Sequence, residues 1–501
     1  MTSMVINMKA KKRLIIFVNA MALLLCACQQ APTRNQVVSK NDGVFDIHAT
    51  QTVSSNDDED ELTSINLEDS FSSTDHSVSF SYKIQEEIKF NGVPIVEVVP
   101  HYLTSQDAKH IAEVLFGNAT FYELQPRFGV VYSKSQIQDK LQKWSSYANE
   151  DAIKYLYGDY NENILSVLRS FIEEYTNKLD SAPLDDPRIL CKWDFQKSLL
   201  YTYTEDELKK MENDLENDLE NDSEEIAASV CLNDIEYQFS VMTRDRNDFK
   251  LSYISVVPDF GMSPFDIDTR VLLSEHCRTN KPTSKQISNA QSKVSEWLDE
   301  MDLGQWSIDQ CYVQEENYGE YNEYRICIKA IPEFCGIASI RRPQLSNLKS
   351  KNTYASNFYM TEAEFTLSPT GEFLGLQLVS PLDIVAVVNE NPVVLDINEL
   401  LEIAKNHLQL SDIYSYDVGN MMGSGGLDFN CFVNINKLEY GLSRVKVPNT
   451  EDCYYYVPSV VLRGNKEYHL ADTDELCFLN EDTTILILNA VDGSIIPIAN
   501  E

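Results

Sequence analysis

Leu25-Cys26-Ala27-Cys28 closes a short apolar run, and its residue types and spacing fit one reaction. A small residue before a cysteine is what a lipoprotein signal peptidase requires. In that reaction the Cys28 thiol would be alkylated with diacylglycerol and the Ala27–Cys28 bond cut, leaving Cys28 as the first residue of the mature chain. Lys9, Lys11, Lys12 and Arg13 form a basic region ahead of the apolar run at residues 14–25. A helix of that length spans roughly 18 Å, short of the ~30 Å hydrocarbon core, so a cleaved signal fits better than a transmembrane anchor. Cys26 is less usual than Ala or Ser at its position, and the competing reading is an ordinary secretory signal with an incidental cysteine. Two or three acyl chains, at about 0.8 kcal/mol per buried CH₂, attach a protein almost permanently. The expected partner is therefore membrane lipid, through acylated Cys28 on the outer face of a bacterial cell membrane.

The remaining reactive side chains make no comparable pattern. His48, His76, His101, His110, His276, His407 and His469 are scattered, with no H-E-x-x-H pair to suggest a zinc hydrolase. Ser274-Glu275-His276-Cys277 gathers reactive types, but sequence neighbours do not generally face one another, and catalytic partners converge from distant segments. Residues 419–426 are glycine-rich and contain Ser424. They fail G-x-S-x-G on register and lack the lysine of a phosphate-binding loop. Asp259, Asp266 and Asp268 cluster around Gly261 and Pro264, where a polar turn competes with a carboxylate pair or calcium site. No residue is assigned as catalytic or metal-binding, and no cofactor is implied. Glycosidase carboxylates carry no short signature, so an extracellular hydrolase with paired acidic residues stays as an alternative, as does a calcium-binding surface protein.

Beyond Cys28 there are nine cysteines, Cys191, Cys231, Cys277, Cys311, Cys327, Cys335, Cys431, Cys453 and Cys477. They are far apart without a C-x-x-C pair, which argues against a zinc ribbon or a thioredoxin-type motif. Buried apolar thiols are the default, with one or two disulfides open in an oxidising setting. The formal charge is −37, and it becomes −41 when residues 1–27, with four basic and no acidic side chains, are removed. Such a polyanion repels nucleic acid and anionic headgroups. It attracts cations or basic peptides, although solubility alone explains the charge.

The elements that must position these residues are those of an α+β protein. Residues 28–77 read as a disordered tether, polar and rich in Ser and Thr around Asp57-Asp58-Glu59-Asp60-Glu61. Its coil reach is roughly 40 Å. An N-terminal α+β domain is expected over 78–280. It has strands at 78–84 and 95–99, a helix after the Thr104–Asp107 cap, helical pattern at 134–147 and 161–178, and strands at 193–203, 236–243 and 249–257. An acidic insert at 205–228 repeats Glu-Asn-Asp-Leu after a Thr204–Glu207 cap, and it lacks the glycine turn of an EF-hand. Then a weak repeat appears, one helix followed by about four strands. In 281–395 a helix capped at Thr283 or Ser284 buries Ile287, Ala290, Val294, Trp297, Leu298 and Met301, and strands follow at 306–314, 323–331, 358–367 and 373–379. In 396–501 a helix after Asp396 buries Ile397, Leu400, Leu401, Ala404 and Leu408, and strands follow at 429–437, 453–462, 484–489 and 494–498. The fold class is α+β, with antiparallel sheets each packed by helices.

Two stretches carry a family resemblance. One is Cys28-Gln29-Gln30-Ala31-Pro32-Thr33 with Val37-Val38-Ser39-Lys40-Asn41-Asp42-Gly43, and the other is Leu486-Ile487-Leu488-Asn489-Ala490-Val491-Asp492-Gly493-Ser494-Ile495-Ile496. With Leu115-Phe116-Gly117-Asn118-Ala119 and Phe121-Tyr122, the chain resembles an uncharacterised family of Firmicutes lipoproteins common in clostridia. That family has no established activity, so only the lipidated cysteine is carried over. The closing strand–Asp-Gly–strand after a helix also resembles the small helix-on-sheet modules of the PepSY type, found in protease propeptides and extracytoplasmic regulators of membrane kinases. The resulting expectation is a non-catalytic lipoprotein whose modules bind a protein, peptide or envelope component by strand addition.

Overall fold

The structure is a computed structural model. It describes residues 63–73, 78–88, 92–124, 132–158, 162–197, 223–246, 249–258, 267–318, 321–340, 361–410, 429–447 and 453–496. The lipobox at Ala27 and Cys28, the Asp57–Glu61 block, the Glu-Asn-Asp-Leu run, Asp259, Asp266 and residues 419–426 lie outside them.

Along the chain come β1 (Thr63–Ser72), β2 (Val78–Ile88), β3 (Ile95–Pro100), α1 (Ser105–Phe116) and β4 (Phe121–Glu123). Three helices follow, α2 (Lys134–Tyr147), α3 (Glu150–Tyr157) and α4 (Glu162–Lys178), then β5 (Gln196–Lys197), β6 (Ser223–Leu232), β7 (Ile235–Arg246) and β8 (Phe249–Pro258). Next are α5 (Ile267–Cys277), α6 (Ser284–Glu300), β9 (Trp306–Asn317), β10 (Asn322–Phe334), β11 (Ile337–Ala338), β12 (Glu362–Leu367), β13 (Phe373–Val379) and β14 (Leu382–Asn389). The chain closes with α7 (Ile397–Leu410), β15 (Phe429–Lys446), β16 (Tyr454–Leu470) and β17 (Leu476–Asn489). No described helix is long and apolar enough to cross a membrane.

Local chemistry sets these boundaries. The Thr104 hydroxyl accepts from the Asp107 amide while the Asp107 carboxylate accepts from the Thr104 amide, so two orphan donors of α1 are satisfied at once. Ala108, Ile111, Ala112 and Leu115 then share its buried face, and Gly117 ends it at φ 60°. Thr283 and Gln286 make the same reciprocal cap on α6, which buries Ala290, Val294, Trp297 and Leu298. Asn233 and Asp234 turn β6 into β7 with φ of 51° and 64°, the mirror-type geometry that matches strand twist.

Two sheets carry the architecture. The smaller runs β1-β2-β15-β16-β3-β14, with β17 also on β16. The larger runs β11-β10-β12-β13-β8-β7-β6-β4, with β9 on β10 and β5 on β6. All described strand pairs are antiparallel except β2 with β15. Helices α1, α5 and α6 bury their apolar faces against the larger sheet, and α7 does so against the smaller one. A third core, built on Trp144, Ile153, Leu165 and Leu168, joins α2, α3 and α4. The class is α+β, as expected, with a strand-rich C-terminal half.

The expected units appear as elements but not as separate bodies. α6 leads into β9, β10, β12 and β13. α7 leads into β15, β16 and β17, and the described part of the strand expected at 494–498, residues 494–496, makes one bridge, between Leu488 and Ile495. Pairing crosses both expected boundaries. β8 of the N-terminal region pairs with β13, β2 pairs with β15, and β3 lies between β16 and β14. A sheet closes wherever hydrogen-bonding edges meet, and short repeats in sequence do not reveal that partner. The segment 28–77 needs correction at its end, since β1 pairs with β2 from Thr63↔Ile88 to Ser72↔Ser79. Ile65 is buried there, and the α7 residue Lys405 reaches Asp69 at 2.7 Å. The insert 205–228 likewise ends in strand, because β6 starts at Ser223.

Candidate functional site

The reactive run on α5 disperses when folded. The Ser274 hydroxyl donates to Glu323 at 2.7 Å. His276 Nδ1 lies 2.6 Å from the Glu372 carboxylate, which also receives the Ser368 and Thr370 hydroxyls. Cys277 is fully buried, and burial pushes its thiol up to about 11 despite the nearby Arg325. Glu275 is exposed. His276 faces Glu372 while Ser274 and Cys277 border Glu323 and its arginines, and no nucleophile–base pair forms within the run.

The spacing the sequence reading missed is Arg270, Ser274 and Arg278, one stripe of α5 extended past its last turn at i, i+4 and i+8. It faces Glu323 on β10, whose side chain is 0% exposed. Arg270 grips both Glu323 oxygens, at 2.9 and 3.0 Å. Arg278 Nε stands 3.7 Å from the same carboxylate, and Arg325 lies 3.5 Å from it. Glu316 on β9 is directly opposite Glu323 in the ladder. Two facing carboxylates repel, and Arg325 relieves this by binding Glu316 at 2.7 Å as well. Burial alone would raise the Glu316 pKa, but the Tyr318 hydroxyl and the Arg325 charge outweigh it and hold it below the usual carboxylate range.

Aromatic rings and helix carbonyls complete the cluster. The Arg278 guanidinium lies 3.3 Å from the Tyr321 ring centre and 4.0 Å from that of Tyr155. Arg270 sits 4.6 Å from the centre of Tyr318. Arg270 and the Tyr321 hydroxyl both donate to the Leu156 carbonyl, and Arg278 donates to that of Tyr155. Cations therefore meet the carbonyl end of α3, where the helix dipole favours them. The cluster ties α3, α5 and the β9–β10 pair together.

A general acid needs a raised carboxyl pKa. Among the described residues the carboxylates with displaced values, Asp69, Asp186, Glu316 and Glu372, are all displaced downward. Among the described residues no group of three or more His, Cys, Asp or Glu side chains converges as a metal site would. His110 bonds the Glu300 carbonyl, and His101 Nδ1 bonds Asp383 at 2.8 Å. None of the nine cysteines beyond Cys28 is joined in a disulfide in this structure.

The surface feature best suited to recognition is β14. Its partner among the described strands is β3, so among the described residues its other side is an open sheet edge. Ile384, Val385 and Val387 are 46%, 54% and 41% exposed. Register shifts at Ile384/Ala386 and Val387/Asn389 make Val385 and Val388 bulge residues. Bulges twist an edge and restrain indiscriminate pairing, yet β14 carries no lysine or proline to guard it. Pro381 and Pro392 flank it in sequence. Nothing local marks it as an edge, since L-D-I-V-A-V-V-N reads equally as a core strand.

No protein-family model and no curated protein sequence matches the chain. Among solved structures, an uncharacterised protein from Eubacterium rectale is 12% identical, with a TM-score of 0.29 over 58% of this chain and 81% of that one. The Bacillus megaterium YpeB C-terminal domain is 10% identical, with a TM-score of 0.19 over 56% of this chain and 98% of that one. Likenesses this loose decide neither fold nor function.

Proposed function

We propose that the protein is a lipoprotein held on the outer face of the cell membrane through acylated Cys28, and that it is a non-catalytic module binding an extended peptide along β14. Leu25-Cys26-Ala27-Cys28 after its basic and apolar regions supports the anchor. The exposed Ile384, Val385 and Val387 on an open sheet edge carry the binding reading. An edge strand offers unpaired N–H and C=O groups to an added strand, and apolar side chains on it supply area and register. Asp383 and the exposed Glu390 bound this stretch, and the whole chain is a polyanion. The occupant is therefore an extended segment with alternating apolar residues and flanking Lys or Arg, and a second copy of this chain is disfavoured by charge.

The anchor is tested by the mass of the N-terminal peptide from membrane-extracted protein. A diacylglyceryl thioether on Cys28 supports it, and a mature N-terminus elsewhere overturns it. The edge is tested with Val385→Lys and Val387→Lys, titrated with basic–apolar extended peptides. Binding weakened about tenfold or more without loss of melting temperature supports the reading, and unchanged affinity overturns it.

A further inference from the structure

We infer that the open depression between the α5–α6 link and the start of β10 binds a small organic anion, gripped at a carboxylate or phosphate group by Arg278 and Lys281. The depression measures about 510 Å³, and its walls include Arg278, Asn280, Lys281, Tyr321, Asn322 and Tyr324. Small-molecule sites run roughly 300–1,000 Å³, so the space suits an organic molecule rather than a bare ion.

Charge favours an anion here. In a chain of net charge −37, three guanidinium groups gather on two carboxylates, Glu316 and Glu323. Arg270 takes both Glu323 oxygens and Arg325 spans both acids. Arg278 keeps the weakest contact, 3.7 Å to an oxygen that already accepts from Arg270 and Ser274. Its Nε has no hydrogen-bond partner, although the side chain is only 11% exposed. That nitrogen is closed to solvent and turned toward Glu323, but Arg278 also walls the depression, and an anion there adds negative charge to three cations that share two acids.

The cationic wall is also preorganised. Tyr321 and Tyr155 hold the guanidinium plane, and its bond to the Tyr155 carbonyl fixes its rotation, so the fork is set before any ligand arrives. Exposed Lys281 adds a second cation at the same wall. Toward β9, the Asn322 amide and Tyr324 hydroxyl both donate to Glu315, whose charge closes that side to another anion. The ligand thus carries its negative group at one end and hydroxyl or amino groups at the other.

The test is calorimetric titration of the full chain at low salt with four probes: acetate, inorganic phosphate, glucuronate and glucose 6-phosphate. One organic anion is expected to bind once per chain with a Kd below ~1 mM and more tightly than its simple counterpart, and the preferred pair tells carboxylate from phosphate. Lys281→Gln, at an exposed position, should keep its melting temperature and bind about tenfold more weakly. Arg278→Lys, which keeps the charge but not the fork, should also weaken binding. Absence of saturation by every probe up to about 10 mM, or undiminished affinity in folded Lys281→Gln, overturns the proposal.

Discussion

Glu323 shows how much of this molecule rests on single charged side chains. Its carboxylate is fully buried among Arg270, Arg278 and Arg325, so Glu323→Gln leaves guanidinium groups uncompensated and should destabilise by about 3–5 kcal/mol. A urea titration monitored by circular dichroism reads this as a lower midpoint, and an unshifted midpoint would refute the cluster's structural role. Acid should act through the same region. Glu316 and Glu372 have folded pKa values below the ordinary 4.5, so the stability they add is complete above about pH 4.5 and is lost as pH falls through their lower folded values. Urea midpoints measured from pH 7 to pH 3 should fall, and Glu316→Gln should flatten part of that fall. Thiol chemistry should sort by burial. Iodoacetamide should label exposed Cys231, Cys335 and Cys477 first, and buried Cys277, Cys327 and Cys431 only on unfolding. The stripe Arg270, Ser274 and Arg278 has meaning only on a helix that no clean apolar face announces, and Glu323 sits on another element, where nothing local shows that an acid will meet it.

At the scale of elements, caps were legible and edges were not. Thr104 with Asp107 and Thr283 with Gln286 delimit α1 and α6 as their residue types dictate. Thr104→Ala and Thr283→Ala should each lower stability by about 1 kcal/mol, seen as a modest drop in melting temperature. The short helix α3 and the helix α5 escaped notice. In α5 the buried residues include Arg270 and Ser274 beside Val271, Leu273 and Cys277, so no clean apolar face shows in the sequence. β1 was hidden by its acidic and serine-rich composition, although Ile65, Leu67 and Phe71 keep strand spacing. β16 holds a position of another kind. A side chain at Gly464 would collide with the Asn434 carbonyl, next to the bulge at Ile435/Lys437. Gly464→Ala should therefore force β15 and β16 apart and destabilise by roughly 1–3 kcal/mol, and a variant as stable as the parent would contradict this register.

Across the whole molecule, both sheets draw strands from the two halves of the chain. A fragment spanning 281–501 should therefore lack cooperative unfolding, because it loses β2 and β3 from one sheet and β8 from the other. The helix-and-strand repeat was visible in sequence because caps and alternation are local. Interleaving was not, since strand partners are chosen across the fold. The same topology leaves β14 at the margin of the smaller sheet, where the binding reading stands. Its most direct measurement places a photo-crosslinking side chain at Val385, and a control at Leu184, which is 82% exposed, in the anchored protein on intact cells. One crosslinked partner is expected from position 385, joined through an extended basic–apolar peptide, weakened by Val387→Lys and absent from position 184. No adduct from position 385, or the same adducts from both positions, would contradict it.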